Sequence, residues 1–135
     1  MIKKLHHIAV VVTNLDDALA MYDKLFGLKP TKVATVPAQG VKAALLPIGQ
    51  TEIELLEPID PNSGVAKFLA KQGEGMHHIC LETDDVAADL NTLGDKGVAL
   101  IDKTPRMGLA GKVGFMHPKS TKGVLIELAT PVNEH

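Results

Sequence analysis

The sequence predicts an α+β fold: two tandem βαβββ modules that together form a curved mixed sheet. Three observations carry this. Leu5-His6-His7-Ile8-Ala9 returns as Met76-His77-His78-Ile79-Cys80. Ile53-Glu54-Leu55-Leu56-Glu57-Pro58 returns as Ile126-Glu127-Leu128-Ala129-Thr130-Pro131 at nearly the same offset, as a half-chain duplicated in tandem would give. Each half also reads, by hydrophobic period, as strand, helix, then strands.

The elements follow in order. His7 to Val12 is a β-branched run closed by Thr13-Asn14. Apolar residues at 15, 18, 19, 22, 25 and 26 have helical spacing, and Gly27 supplies the stop. Residues 31–36 and 41–48 read as strands separated by Pro37-Ala38-Gln39-Gly40, and Gly49-Gln50 turns the chain into a further strand from Thr51 to Leu56. Pro58 to Gly64 is punctuation, and Val65 to Gln72 is a short bridging helix. The second half repeats the plan: a strand over 77–83, a helix from Asp84-Asp85 to about Lys96 with Gly97 as its stop, then strands over 99–102, 112–117 and 123–129. Arg106 to Gly111 and His117 to Ser120 read as breaks. At 135 residues one domain is expected over 1–135, with module 1 over about 4–58, a linker helix over about 59–74 and module 2 over about 75–131. Strand-rich halves need each other to cover an open face, so close pairing makes physical sense.

Composition narrows the function. Hydrophobic content of 45% and charged content of 22% describe a soluble globular chain. A net charge of −2 and 3% aromatics give no electrostatic footprint or stacking platform for nucleic acid. Cys80 is the single cysteine, which rules out an internal disulfide and suits a reducing compartment. No signal-peptide core or membrane-length apolar run is seen, so a cytoplasmic protein without a membrane partner is expected.

The repeated strings also carry chemistry. Alternation puts His7 with Ala9 and Val11 on one face, and His78 with Cys80 and Glu82. Glu54 shares a face with Leu56, while Ile53 and Leu55 point away, under the helices. Glu127 interrupts the apolar strand Val124-Leu125-Ile126-Glu127-Leu128, and an isolated buried carboxylate costs several kcal/mol, so it should be paired, metal-bound or facing a wet cavity. One His early and one Glu late in each half offer four ligands related by a pseudo-two-fold axis. The pattern leaves open which member of His6/His7 and of His77/His78 binds; His7 and His78 are favoured because each directly precedes the β-branched residue that opens its strand. Two imidazoles with two carboxylates suit a divalent first-row ion, with two positions left for substrate oxygens. The predicted sheet thus surrounds a metal-containing cleft.

With these segments in view the chain resembles the methylmalonyl-CoA epimerases of the vicinal oxygen chelate superfamily, over essentially its whole length. The resemblance lies in Gly75 to Glu82, Glu52 to Pro58 and the run Phe115 to Leu128. It implies metal ligation by His7, Glu54, His78 and Glu127, with Glu127 also the catalytic acid–base group. It implies a divalent ion, cobalt first, with manganese, nickel, zinc, iron or magnesium as alternatives. The implied reaction is epimerisation of (2R)- and (2S)-methylmalonyl-CoA through a metal-stabilised enolate, by a homodimer. Acyl-CoA phosphates need cations, and Arg106 and Lys119 are the candidates. Two positions depart from the family: Ala43 stands where some bacterial relatives carry a second acid–base glutamate, and Gly108-Leu109-Ala110-Gly111 lacks a loop histidine. The second proton carrier is left unassigned, with Lys42 and a metal-bound water as the candidates. The competing readings are a glyoxalase I-type lactoylglutathione lyase, toward which Glu54 leans, and a non-catalytic metal- or antibiotic-binding relative.

Overall fold

A computed structural model describes residues 2–132. The chain forms two compact units, one of His7–His77 and one that joins Met1–His6 to His78–His135. The boundaries fall inside two strands, β1 (Ile2–Val11) and β5 (Gly75–Thr83), rather than in a linker. Each unit follows the βαβββ plan, and the fold class is α+β.

The unit His7–His77 contains the second half of β1, then α1 (Leu15–Phe26), β2 (Lys32–Val36), β3 (Val41–Ile48), β4 (Thr51–Pro58) and α2 (Gly64–Gln72). Its strands lie in the order β2-β3-β4-β1, with β1 parallel to β4 and the other pairs antiparallel. α1 starts where Asn14 accepts the Asp17 N–H, carries Asp16 and Asp17 at its positive end, and stops at Gly27 in the left-handed region (φ 68°). Its apolar stripe, with Leu15 and Ala18 buried, packs with Val10, Val12, Ala44, Leu46, Ile53 and Leu55. Because strand side chains alternate, this leaves Ala9, Leu45, Glu54 and Leu56 on the opposite face.

The second unit contains β5 from His78 onward, α3 (Val86–Asp95), β6 (Arg106–Gly108), β7 (Gly111–Met116) and β8 (Ile126–Thr130). Its strand order is β5-β8-β7-β6, again with the first pair parallel. Asp85 caps α3, and Val86 and Leu90 pack with Leu81, Met116, Ile126 and Leu128. Gly114 makes that approach possible, since a Cβ there would stand 2.7 Å from Leu90 Cδ1. Cys80, Val113 and Ala129 form a second, separate cluster on the other face, the face of Glu127.

Several stretches differ from the sequence expectation; the strand expected over 123–129 is β8 and starts only at Ile126. Residues 99–102 make only an isolated bridge, Leu100 to Met116, because the Ile101 and Asp102 N–H groups both converge on the Phe115 carbonyl and the ladder cannot continue. The expected break at Arg106 to Gly111 is a hairpin, with Gly108 paired to Gly111 across a two-residue turn. β1 begins at Ile2, so the histidines sit in mid-strand instead of opening it.

Candidate metal centre

Each unit holds one histidine–glutamate pair, built in the same way. In the first, Ala9 stands opposite Glu54 in the parallel β1–β4 ladder. His7 lies two residues earlier on the same face, so its imidazole meets the carboxylate diagonally: Nε2 is 3.4 Å from Glu54 Oε1. In the second, Cys80 stands opposite Glu127 in the parallel β5–β8 ladder, and His78 Nε2 is 3.2 Å from Glu127 Oε1. The residue facing each glutamate is small and fully buried, Ala9 or Cys80. That leaves each carboxylate room to lean along the strand toward its histidine.

All four side chains are buried: His7 at 1%, Glu54 and His78 at 6%, Glu127 at 4% exposure. A buried carboxylate needs a charged or hydrogen-bonding partner, and an imidazole nitrogen beside each one supplies a second donor atom for a cation. Neutral imidazole nitrogens with carboxylate oxygens form a donor set that suits a divalent first-row ion rather than calcium. Buried His and Glu groups of this kind suggest divalent metal binding.

The neighbouring histidines are placed differently. The His77 ring packs edge-on against Phe68 of α2, with centroids 4.9 Å apart. His6 is also buried, at 8%. The phosphate candidates sit on different elements: Arg106 opens β6 with its Nε 3.4 Å from Asp102 Oδ1, while Lys119 is exposed in the 3-10 turn Pro118–Ser120. Arg106 also borders a cavity of about 540 Å³ with Lys112, Thr130, Asp84 and Asp85, which Lys119 does not line.

Two residues change the expectation for a second proton carrier. Ala43 shares the face of Glu54 and is fully buried. Lys42 is opposite Glu57 and so lies on the other face, where the Glu57 carboxylate takes the Leu15 N–H. It therefore cannot serve on the face of Glu54. Sequence reasoning passed over Glu52, a half-buried carboxylate on the same face as Glu54 and directly opposite His7 in register. The alternation Glu52-Ile53-Glu54 was the available signal.

Comparison with known proteins agrees with this architecture. Residues 6–117 match the glyoxalase/bleomycin resistance protein/dioxygenase superfamily. The chain is 40% identical over 129 residues to the mitochondrial methylmalonyl-CoA epimerase of Dictyostelium discoideum, spanning 94% of this chain and 78% of that one. It is 37% identical over 131 residues to the ethylmalonyl-CoA/methylmalonyl-CoA epimerase of Cereibacter sphaeroides, spanning 95% and 98%. A Streptomyces coelicolor methylmalonyl-CoA epimerase variant in complex with 2-nitronate-propionyl-CoA superposes with a TM-score of 0.94 at 37% identity, over 98% of this chain and 96% of that one. The chain belongs to the methylmalonyl-CoA epimerase family of the glyoxalase/bleomycin resistance protein/dioxygenase superfamily.

Proposed function

We propose that this protein interconverts (2R)- and (2S)-methylmalonyl-CoA, using a divalent ion, cobalt first among candidates, held jointly by His7, Glu54, His78 and Glu127. The observation that supports the reading best is the twice-built buried His–Glu diagonal, in a chain whose relatives at 37–40% identity are epimerases of this substrate. When bound, such an ion supplies Lewis acidity toward the thioester and carboxylate oxygens, where negative charge develops.

The chain's own residues move the proton. The C2 hydrogen lies between two carbonyl groups, and its C–H bond breaks as a carboxylate takes the proton, leaving the electron pair delocalised as an enolate. Glu127 is assigned that step, as the likeness to the epimerases implies, and the apolar strand around its buried carboxylate excludes competing water. The planar enolate is then protonated from the opposite side, which inverts C2. Glu52 is assigned the second transfer, since Ala43 has no proton to give and Lys42 lies on the wrong face. Arg106 and Lys119 remain the candidates for the phosphates of coenzyme A. A cytoplasmic homodimer is the working form this reading adopts; among the described residues, no helix is long and apolar enough to cross a membrane.

Proton NMR of methylmalonyl-CoA in deuterated water tests the reading. The C2 signal should wash out with enzyme, stop after chelation and resume when metal is restored. Turnover of the methylglyoxal–glutathione hemithioacetal without C2 exchange would instead favour the lyase.

A further inference from the structure

We infer that Phe115 positions the His78–Glu127 pair and is itself held by a clamp of Asp102 and Arg106; this rests on the metal-binding reading above. Phe115 stands directly opposite Glu127 in the β7–β8 ladder, so both side chains leave the sheet on one face. Its ring meets the His78 imidazole edge to face, with centroids 5.0 Å apart and planes at 86°. Histidine χ2 is a soft torsion, so a ring packed at right angles restricts the direction in which Nε2 points. Residues that orient a ligating imidazole commonly change metal affinity by one to two orders of magnitude when removed.

Phe115 has little freedom of its own. Asp102 Oδ2 accepts its N–H at 2.9 Å, and its carbonyl accepts the N–H groups of Ile101 and Asp102 at 2.9 and 3.2 Å. The Arg106 guanidinium lies 5.6 Å from the ring centroid, within cation–π range. Arg106 Nε in turn is 3.4 Å from the other Asp102 oxygen. One carboxylate thus fixes both the backbone that carries the ring and the cation stacked on it. The ring is only 8% exposed, so it cannot swing aside without opening a void.

The test compares wild type with Phe115→Leu, Arg106→Gln and Arg106→Lys. Each protein is stripped with chelator, its His78 ring nitrogen resonances are recorded, and it is titrated with Co²⁺ while the visible absorption bands are followed. Phe115→Leu should bind Co²⁺ about tenfold more weakly or worse, with shifted His78 resonances before any metal is added. Arg106→Gln should move both readouts in the same direction by a smaller factor, and Arg106→Lys should restore part of the loss by keeping the stacked charge. Arg106 is 41% exposed, so its variants fold even if Phe115→Leu does not. Wild-type affinity and unshifted His78 resonances in the variants would overturn the inference. No Co²⁺ uptake by wild type, with His78 still shifting in the variants, would instead overturn the metal reading and leave the packing role standing.

Discussion

Glu57 Oε1 accepts the backbone N–H of Leu15, the first residue of α1, at 2.6 Å. The second unit repeats the device: Thr130 Oγ1 accepts the N–H of Val86, the first residue of α3, at 3.0 Å. Glu57 and Thr130 each lie three residues beyond a candidate ligand, Glu54 or Glu127. Because three is odd, they emerge on the opposite strand face, where the helix is. Each clamp therefore fixes the strand that carries a glutamate against the helix behind it.

Breaking a clamp should cost stability before it costs chemistry. Glu57→Ala leaves a helix-start N–H without its acceptor and removes an anion from the positive end of α1, for a loss of about 1–3 kcal/mol in urea unfolding. Thr130→Val should cost about 1 kcal/mol. Glu57→Gln keeps an acceptor and should stay within about 1 kcal/mol of wild type. A Glu57→Ala protein as stable as wild type would remove the clamp from the account.

Glycine positions should separate by space as well as by conformation. Gly111 has φ 123°, and a Cβ there would stand 2.5 Å from the Thr130 carbonyl oxygen in the neighbouring strand. Gly111→Ala should lose about 2 kcal/mol or more of stability and loosen the β6–β7 hairpin. Gly27, at φ 68° with nothing within 4 Å, carries only the conformational penalty, so Gly27→Ala should cost about 1 kcal/mol. Thermal unfolding of the two variants side by side checks the order.

Glu127→Gln removes the assigned base while keeping an oxygen ligand. It should abolish C2 exchange in deuterated water by a factor of about 10² or more, with bound metal reduced rather than lost. Exchange near the wild-type rate in the metal-loaded variant would assign Glu127 to ligation alone.

Glu52→Gln addresses the second transfer. Starting from one epimer, the variant should still exchange the C2 proton with solvent but form the opposite epimer more slowly, by about 10². Equal loss of exchange and epimerisation would mean that Glu52 holds the site together instead of returning the proton.

Much of the frame was legible in the sequence because it is local. α1 and α3 have helical spacing, capping residues at Asn14 and Asp85, and glycines just beyond their ends. The repeated His and Glu positions were legible because duplication writes the same ladder twice. What the sequence hid is non-local. The β6–β7 hairpin has too few residues to show a period. The stretch 99–102 has strand-like residues, but its N–H groups converge on one carbonyl. His77 is distinguished from His78 by Phe68, nine residues away on α2, and the Asp102–Arg106–Phe115 clamp joins a loop to two strands. Lys42 was within reach of simple alternation once β3 was read in register with β4.

Metal stoichiometry of three purified proteins tests the shared ion most directly. Wild type should carry one divalent ion per chain after dialysis. His7→Ala and His78→Ala, each altering only one half of the duplicated scaffold, should both carry almost none. Full retention of the ion by either variant would contradict a centre built from both.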